Sequence, residues 1–374
     1  MSRLRNVAIV AFAQAPITSG NGHCTAPELL YPQVRRALAD CGVERNDIDY
    51  QTAGSADYFD GRPFGFVAAL DVMGTWPPRE DSHLEMDAAF SAYYAWLRMQ
   101  AGDCNTAMVV GYGKISEGQP ERVLNLTLDP YYQAPLGLGP LTTSALQASA
   151  YMARSGVTDR ELAEIAARNR CDGARNPDAQ VREAAGADEL LQTPWAVEPL
   201  RTGYVAPVGE SAVCLILAAE GKAEKMCRAP VWIQGVDQRA ELQSLGSRDL
   251  TRSAGTELAA QKAMRMASLS SAEQVDLIEL AAANPVEEMI LREALGLPRT
   301  GDTKPVLSPS GGALTGNPLM MTGLIRMGEV FRQLSGKAGE RAVGGAKRAI
   351  AHASQGHCLQ QNLIWVLGRE PRWT

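Results

Sequence analysis

Two stretches far apart in this chain are built alike. Ala26–Gly54 reads APELLYPQVRRALADCGVERNDIDYQTAG, and Thr256–Asn284 reads TELAAQKAMRMASLSSAEQVDLIELAAAN. In each, a Glu-Leu pair opens a helix with an alanine-rich face. A turn follows, and an Asp then leads into a short apolar strand. A repeat spaced this widely indicates two fused α/β halves, because solenoid repeats recur at roughly 20–50 residues. Each half must then hold its own sheet, with helices covering it. A chain of 374 residues is long enough for such a body and its core.

The remaining pattern agrees. The sequence predicts a strand over Asn6–Phe12 and a helix over Pro27–Cys41 that Gly42 closes. A further helix is predicted over Ala88–Ala101, stopped by Gly102, before a buried strand at Thr106–Gly113. PVWIQGVDQ, from Pro230, starts the same order again. Ile115 to about Leu200 is loop-rich with helical segments and reads as an insertion over the first half. These readings place an N-terminal half at 1–228, insertion included, and a C-terminal half at 229–374.

Net charge is −6 and no Lys/Arg stripe occurs, which argues against a nucleic-acid partner. No run approaches the roughly 18–20 apolar residues of a membrane span. MSRLRNVAIVAFAQAP has a short, β-branched apolar part, so it reads as a first core strand rather than a signal peptide. Seven scattered cysteines without a CxxC indicate reduced thiols in a cytoplasmic protein, with no disulfide framework and no metal site.

The chemistry-bearing stretches lie late in the chain. Ser308–Gly323, SPSGGALTGNPLMMTG, is a glycine- and proline-shaped loop running into an apolar helix, and AHASQGH (Ala351–His357) precedes a terminal strand. Together with the duplicated halves, these stretches resemble the thiolase superfamily. The similar branch is that of the sterol-carrier-type thiolases and thiolase-like lipid-transfer proteins. The resemblance implies an α/β fold of two duplicated βαβαβ halves in a five-layered α-β-α-β-α body. It implies no permanently bound cofactor, with acyl-CoA or coenzyme A as substrate or ligand. It implies a homodimer or a heteromer with a thiolase-like paralogue, with a small OB-fold zinc-ribbon protein as a further partner.

Residue by residue, the resemblance shows substitutions. The nucleophilic cysteine at the start of the first-half helix falls on Glu85 without gaps, or on Phe90 with a five-residue deletion. Cys104 lies beyond that helix. The family's His-Asp-Cys-Phe loop falls on Ala281, Ala282, Ala283 and Asn284, and its Gly-His-Pro histidine on Asn317. An asparagine amide can still donate a hydrogen bond to a carbonyl oxygen, but it does not shuttle protons. His352 matches a C-terminal histidine and reads either as a structural imidazole or as a surviving acid/base group; Cys358 lies close by. Gly311, Gly312, Gly316, Ala281, Asn284, Phe90 and Cys358 are the expected substrate-binding positions. Asn317, His352 and Glu85 occupy the catalytic ones.

Two functions follow. One is a non-thiolytic subunit or lipid-transfer-like protein that binds acyl-CoA or steroid thioesters beside a partner. The other is an acyltransferase or retro-aldolase acting on acyl-CoA without an acyl-cysteine, with Tyr93 among the candidate acid groups.

Overall fold

The computed structural model describes residues 4–20 and 22–373. Ten strands form its main sheet: β1 (Val7–Gln14), β2 (Tyr50–Gly54), β3 (Glu80–Leu84), β4 (Thr106–Gly113), β5 (Ser211–Ala219), β6 (Val231–Ala240), β7 (Leu277–Glu279), β8 (Val306–Leu307), β9 (Arg348–Gln355) and β10 (Gln361–Gly368). From edge to edge they run β3-β2-β4-β5-β1-β6-β10-β9-β7-β8. Adding five to each label of the first half generates the second. The strand senses repeat as well. β2 is parallel to β3 and β4, as β7 is to β8 and β9. β5 is antiparallel to β4 and β1, as β10 is to β9 and β6. The halves join where Ala8 and Ile9 pair with Trp232 and Val231.

Eight longer helices build the layers: α1 (Ala26–Cys41), α2 (Phe66–Met73), α3 (Ala88–Ala101), α4 (Pro140–Ser155), α5 (Asp159–Gly173), α6 (Ala254–Met266), α7 (Pro285–Ala294) and α8 (Thr322–Ser335). Successive strand residues point to opposite faces, which divides the core. Val10, Val110 and Ile216 face α1 and α2. Ile9, Val109 and Leu215 face the middle helices α3 and α8, which pack on their other side against Leu363, Trp365 and Leu367. Ile278, Ile350, Ile364 and Val366 face α6 and α7. The result is the five-layered thiolase-like body. Both faces of each half-sheet are covered, so strands such as SAVCLILAA are apolar throughout instead of alternating.

The insertion differs from the sequence reading. Its helices α4 and α5 pack in the cluster of the second half, where Tyr151, Leu162 and Ile165 meet α6 and α7. A buried carboxylate fixes it there. Arg168 on α5 donates to both oxygens of Glu288 on α7 at 2.7 and 2.6 Å, and Asn169 adds a bond of 3.0 Å.

Helix α8 is buried almost all round, although its sequence carries Arg326, Glu329 and Gln333. Each of these three side chains has a partner. Arg326 pairs with Glu279 at 2.8 Å, Glu329 with Arg341 at 2.8 Å, and Gln333 donates to the Arg341 carbonyl at 2.9 Å. Gly328 is required there, since a Cβ would lie 2.1 Å from the Phe12 ring. Among the described residues, no helix is long and apolar enough to cross a membrane.

Candidate functional site

The carboxyl ends of β7 and β9 border a cavity of about 150 Å³ between the middle layer and the insertion. Open α/β sheets characteristically bind ligands outside the carboxyl ends of their strands. Three side chains with acid/base or hydrogen-bonding chemistry reach it from three elements.

Asp87 is the first. It is the N-cap of α3, and its Oδ1 accepts the Ala89 amide at 2.8 Å. The N-terminus of α8 points at the same carboxylate, with Gly323 N 2.8 Å from Oδ2 and Leu324 N 3.2 Å from Oδ1. This approach requires glycine at 323, because a Cβ there would sit 2.2 Å from the Ala353 Cβ and 2.8 Å from Asp87 Oδ1. Two helix N-termini thus converge on one buried anion. Burial raises the carboxyl to about 6, and the backbone donors hold it from rising further.

Glu287 is the second. Asn284 caps α7 by accepting the Glu287 amide at 3.0 Å, and the Glu287 side chain turns back so that Oε2 accepts the Ala283 amide at 2.8 Å. Burial raises this carboxyl to about 6 as well, against the same kind of backbone bond. Its neighbour Glu288 points the other way, into the arginine network of α5. Adjacent carboxylates on one helix therefore have separate tasks.

Asn317 is the third. Its backbone pairs with Val208 across a two-residue parallel bridge, and its amide hydrogen bonds to Pro207 O at 3.0 Å. Thr322 Oγ1 lies 2.7 Å from Asn317 Oδ1, leaving the side-chain NH₂ for the cavity.

His357 also lines the cavity. Its Nε2 lies 3.0 Å from the Leu124 carbonyl and its Nδ1 2.9 Å from Thr143 Oγ1. A carbonyl only accepts, so Nε2 carries the proton and Nδ1 accepts from the hydroxyl. Burial lowers its pKa, and the neutral ring fastens the insertion to the cavity floor. Cys358 is the one cysteine in the cavity wall among the described residues. Its thiol donates to Thr143 O at 3.3 Å, and burial pushes it up to about 12, so it stays protonated at neutral pH.

The expected site residues are thus divided. Asn317, Ala281 and Cys358 line the cavity. Glu85 and Phe90 do not: Glu85 is exposed and accepts the Asp57 amide at 3.2 Å, while Phe90 lies in the core. The acidic group at the start of α3 that reaches the cavity is Asp87. Asn284 acts as the α7 cap. Gly311 and Gly312 turn the loop at φ +89° and +61°; Gly311 packs on Gly173 of α5, and Gly316 packs on Ile17. His352 is fully buried below the cavity, its Nε2 3.2 Å from Asn362 Oδ1, and burial lowers it to about 4. Tyr93 stacks on Trp96 in the middle layer.

Sequence reasoning missed Asp87 and Glu287. Residues 281–284, on which the family's His-Asp-Cys-Phe loop falls, carry no titratable side chain, but Glu287 comes back to the cavity from the first turn of α7. Among the described residues, no cluster of His, Cys, Asp and Glu is arranged to hold a metal ion.

The fold and this site define a thiolase-like α/β protein whose cavity presents carboxyl groups and no ionised thiol. Residues 238–369 match the family described as thiolase C-terminal domain-like. The chain is 26% identical over 339 residues to the acetyl-CoA acetyltransferase of Methanothermobacter thermautotrophicus, covering 84% of this chain and 88% of that protein. It is 27% identical over 361 residues to sterol carrier protein 2 of Gallus gallus, covering 87% of this chain but only 65% of that protein. Among solved structures it is similar to the Ltp2-ChsH2(DUF35) aldolase, with a TM-score of 0.83 at 18% identity over 97% of this chain and 98% of that one. Over most of its length the chain is therefore similar to proteins named acetyl-CoA acetyltransferase and sterol carrier protein 2, and its fold is thiolase-like.

Proposed function

We propose that this chain binds an acyl-CoA or related lipid thioester in the cavity and cleaves a carbon–carbon bond by carboxylate acid–base chemistry, without an acyl-enzyme. One observation carries the reading: the cavity holds two carboxyl groups raised to about 6, while its one cysteine is held as the thiol. Thiolysis needs a thiolate. Retro-aldol cleavage of a β-hydroxyacyl thioester needs only a base and a donor to the enolate oxygen.

Glu287 is the base. It takes the β-hydroxyl proton, the Cα–Cβ bond breaks, and Cβ–O becomes a carbonyl. The electron pair moves to Cα and the thioester oxygen, to which the Asn317 NH₂ donates. Glu287 then returns the proton to Cα, giving a shorter acyl thioester and a ketone or aldehyde. The names of relatives support the substrate class, since they include an acetyl-CoA acetyltransferase and a sterol carrier protein, and one solved relative is named an aldolase.

A second reading rests on Asp87. Its three backbone donors leave it fully occupied as a helix cap, which suits a binding subunit that positions a thioester for a thiolase-like paralogue or a small OB-fold partner. The experiment is incubation of the purified chain, alone and with its candidate partner, with β-hydroxyacyl-CoA. Release of a carbonyl product that Glu287→Gln abolishes supports the lyase. Acyl-CoA binding without cleavage under either condition leaves the binding subunit.

A further inference from the structure

Beside the main cavity lies a second pocket of about 10 Å³, built by the first half from Ser55, Asp60 and Tyr112 among others. Leu319 and Met320 line both spaces. Met320 is the unusual member of this wall. It is 6% exposed, and its backbone lies in the left-handed region at φ +70°, which favours glycine and is uncommon for a long side chain. The backbone is held there because Met320 O accepts the Ala88 amide at 2.8 Å, at the start of α3. The side chain is held only weakly, by the Gln355 amide 3.8 Å from its sulfur. Strained positions of this kind gather at ligand clamps and switch regions. An unbranched thioether is also the side chain that most readily adopts a new packing.

The small pocket has a reason to receive a ligand. Asp60 is 8% exposed, and its Oδ1 is buried with no hydrogen-bond partner. The Tyr112 hydroxyl, also buried, accepts from Ser55 Oγ at 3.4 Å and keeps its own proton for another acceptor. A space of 10 Å³ has room for one water at most, so these groups become useful only when the pocket is enlarged.

We propose that Met320 is the partition that sets substrate size, resting on the reading of the main cavity as a thioester site. With the side chain in place, the acyl group is confined to about 150 Å³, a space comparable to one that takes a benzene ring. With it turned aside, the two spaces join, and a longer acyl branch reaches the polar end at Asp60 and Tyr112.

The test compares the natural chain with Met320→Gly and Met320→Leu, using butanoyl-CoA and decanoyl-CoA in calorimetric titrations. Glycine adopts φ +70° without steric cost, which offsets part of the loss of a buried side chain, so Met320→Gly is expected to fold with a lowered melting temperature. It is expected to shift the decanoyl-to-butanoyl affinity ratio upward by about tenfold or more, the scale set by single methylenes in a fitted pocket. Met320→Leu keeps the partition and is expected to leave the ratio within about twofold. The same ratio in all three proteins overturns the proposal. If none binds either thioester, the thioester reading fails, and the partition is judged from a crystal structure of Met320→Gly under xenon. One continuous xenon-filled space upholds it, and two separate spaces overturn it.

Discussion

The two halves repeat each other strand for strand, yet their equivalent connections have opposite fates. In the second half, β7 reaches α7 through Leu280–Asn284, a short link with three successive alanines. In the first, β2 reaches α2 through Ser55–Gly65, a longer link bearing Tyr58, Phe59, Asp60 and Arg62. Each connection has a carboxyl beside it that burial raises, Glu287 in the first turn of α7 after one and Asp60 within the other. The alanine link leaves about 150 Å³ beside its carboxyl, whereas the longer link closes its pocket to about 10 Å³. A duplicated scaffold therefore supplies two possible sites, and the side-chain volume of one short loop decides which is open.

The comparison can be broken most sharply at the carboxyls themselves. Glu287→Gln is expected to lower turnover on β-hydroxyacyl-CoA by about 10²–10⁴-fold while acyl-CoA affinity stays within about threefold, measured by steady-state kinetics and calorimetry. Retention of activity would mean that a group other than Glu287, Asp87 first among them, is the base. Any cleavage by the natural chain should also fall as pH drops through 6, because Glu287 must be ionised to act as base.

Stability moves in the opposite direction. A carboxyl raised from 4.5 to about 6 favours the folded state below pH 4.5, and that contribution is lost as pH rises through 6. Glu287→Gln is therefore expected to stabilise the protein by about 2 kcal/mol at pH 8, with the gain vanishing below pH 4.5. Denaturant melts at the two pH values check this. An equal effect at both would mean that charge burial is not its source.

Rebuilding the open loop in the image of the closed one gives a smaller effect. Ala283 is half-buried in the cavity wall, so Ala283→Leu fills space instead of straining the core. It should weaken acyl-CoA binding by about tenfold, with a melting temperature close to that of the natural chain. Asp60→Asn is the smallest change, expected to leave turnover on short thioesters within about twofold. A large loss there would mean that both halves take part in the chemistry.

The frame was legible because it depends on periodicity. The bounds of α3 and β4 could be read to the residue from Gly102 and from the apolar run TAMVVGYG, and the duplication predicted the repeated sheet. The Asn317 loop was legible through its glycines and prolines. The carboxyls were not, because each looks like ordinary helix grammar. Asp87 before Ala-Ala reads as an N-cap, and Glu287 in NPVEE reads as an acid in the first turn. Both do serve those local roles; only the meeting of α3, α7 and α8 turns them toward one cavity. His352 was misleading for a related reason. It shares a strand face with Ser354, which lines the cavity, but lies two residues deeper, about 7 Å along the strand.

The burial of α8 from both sides has a dynamic consequence. Amides in the first turn of a helix usually exchange readily with solvent, because nothing within the helix accepts them. Gly323 and Leu324 donate to a buried carboxylate between the two half-sheets, so their hydrogens should be released only when the middle layer separates. Deuterium uptake at these two positions would then report on opening of the whole molecule, and the rigidity of the site would be that of the entire fold.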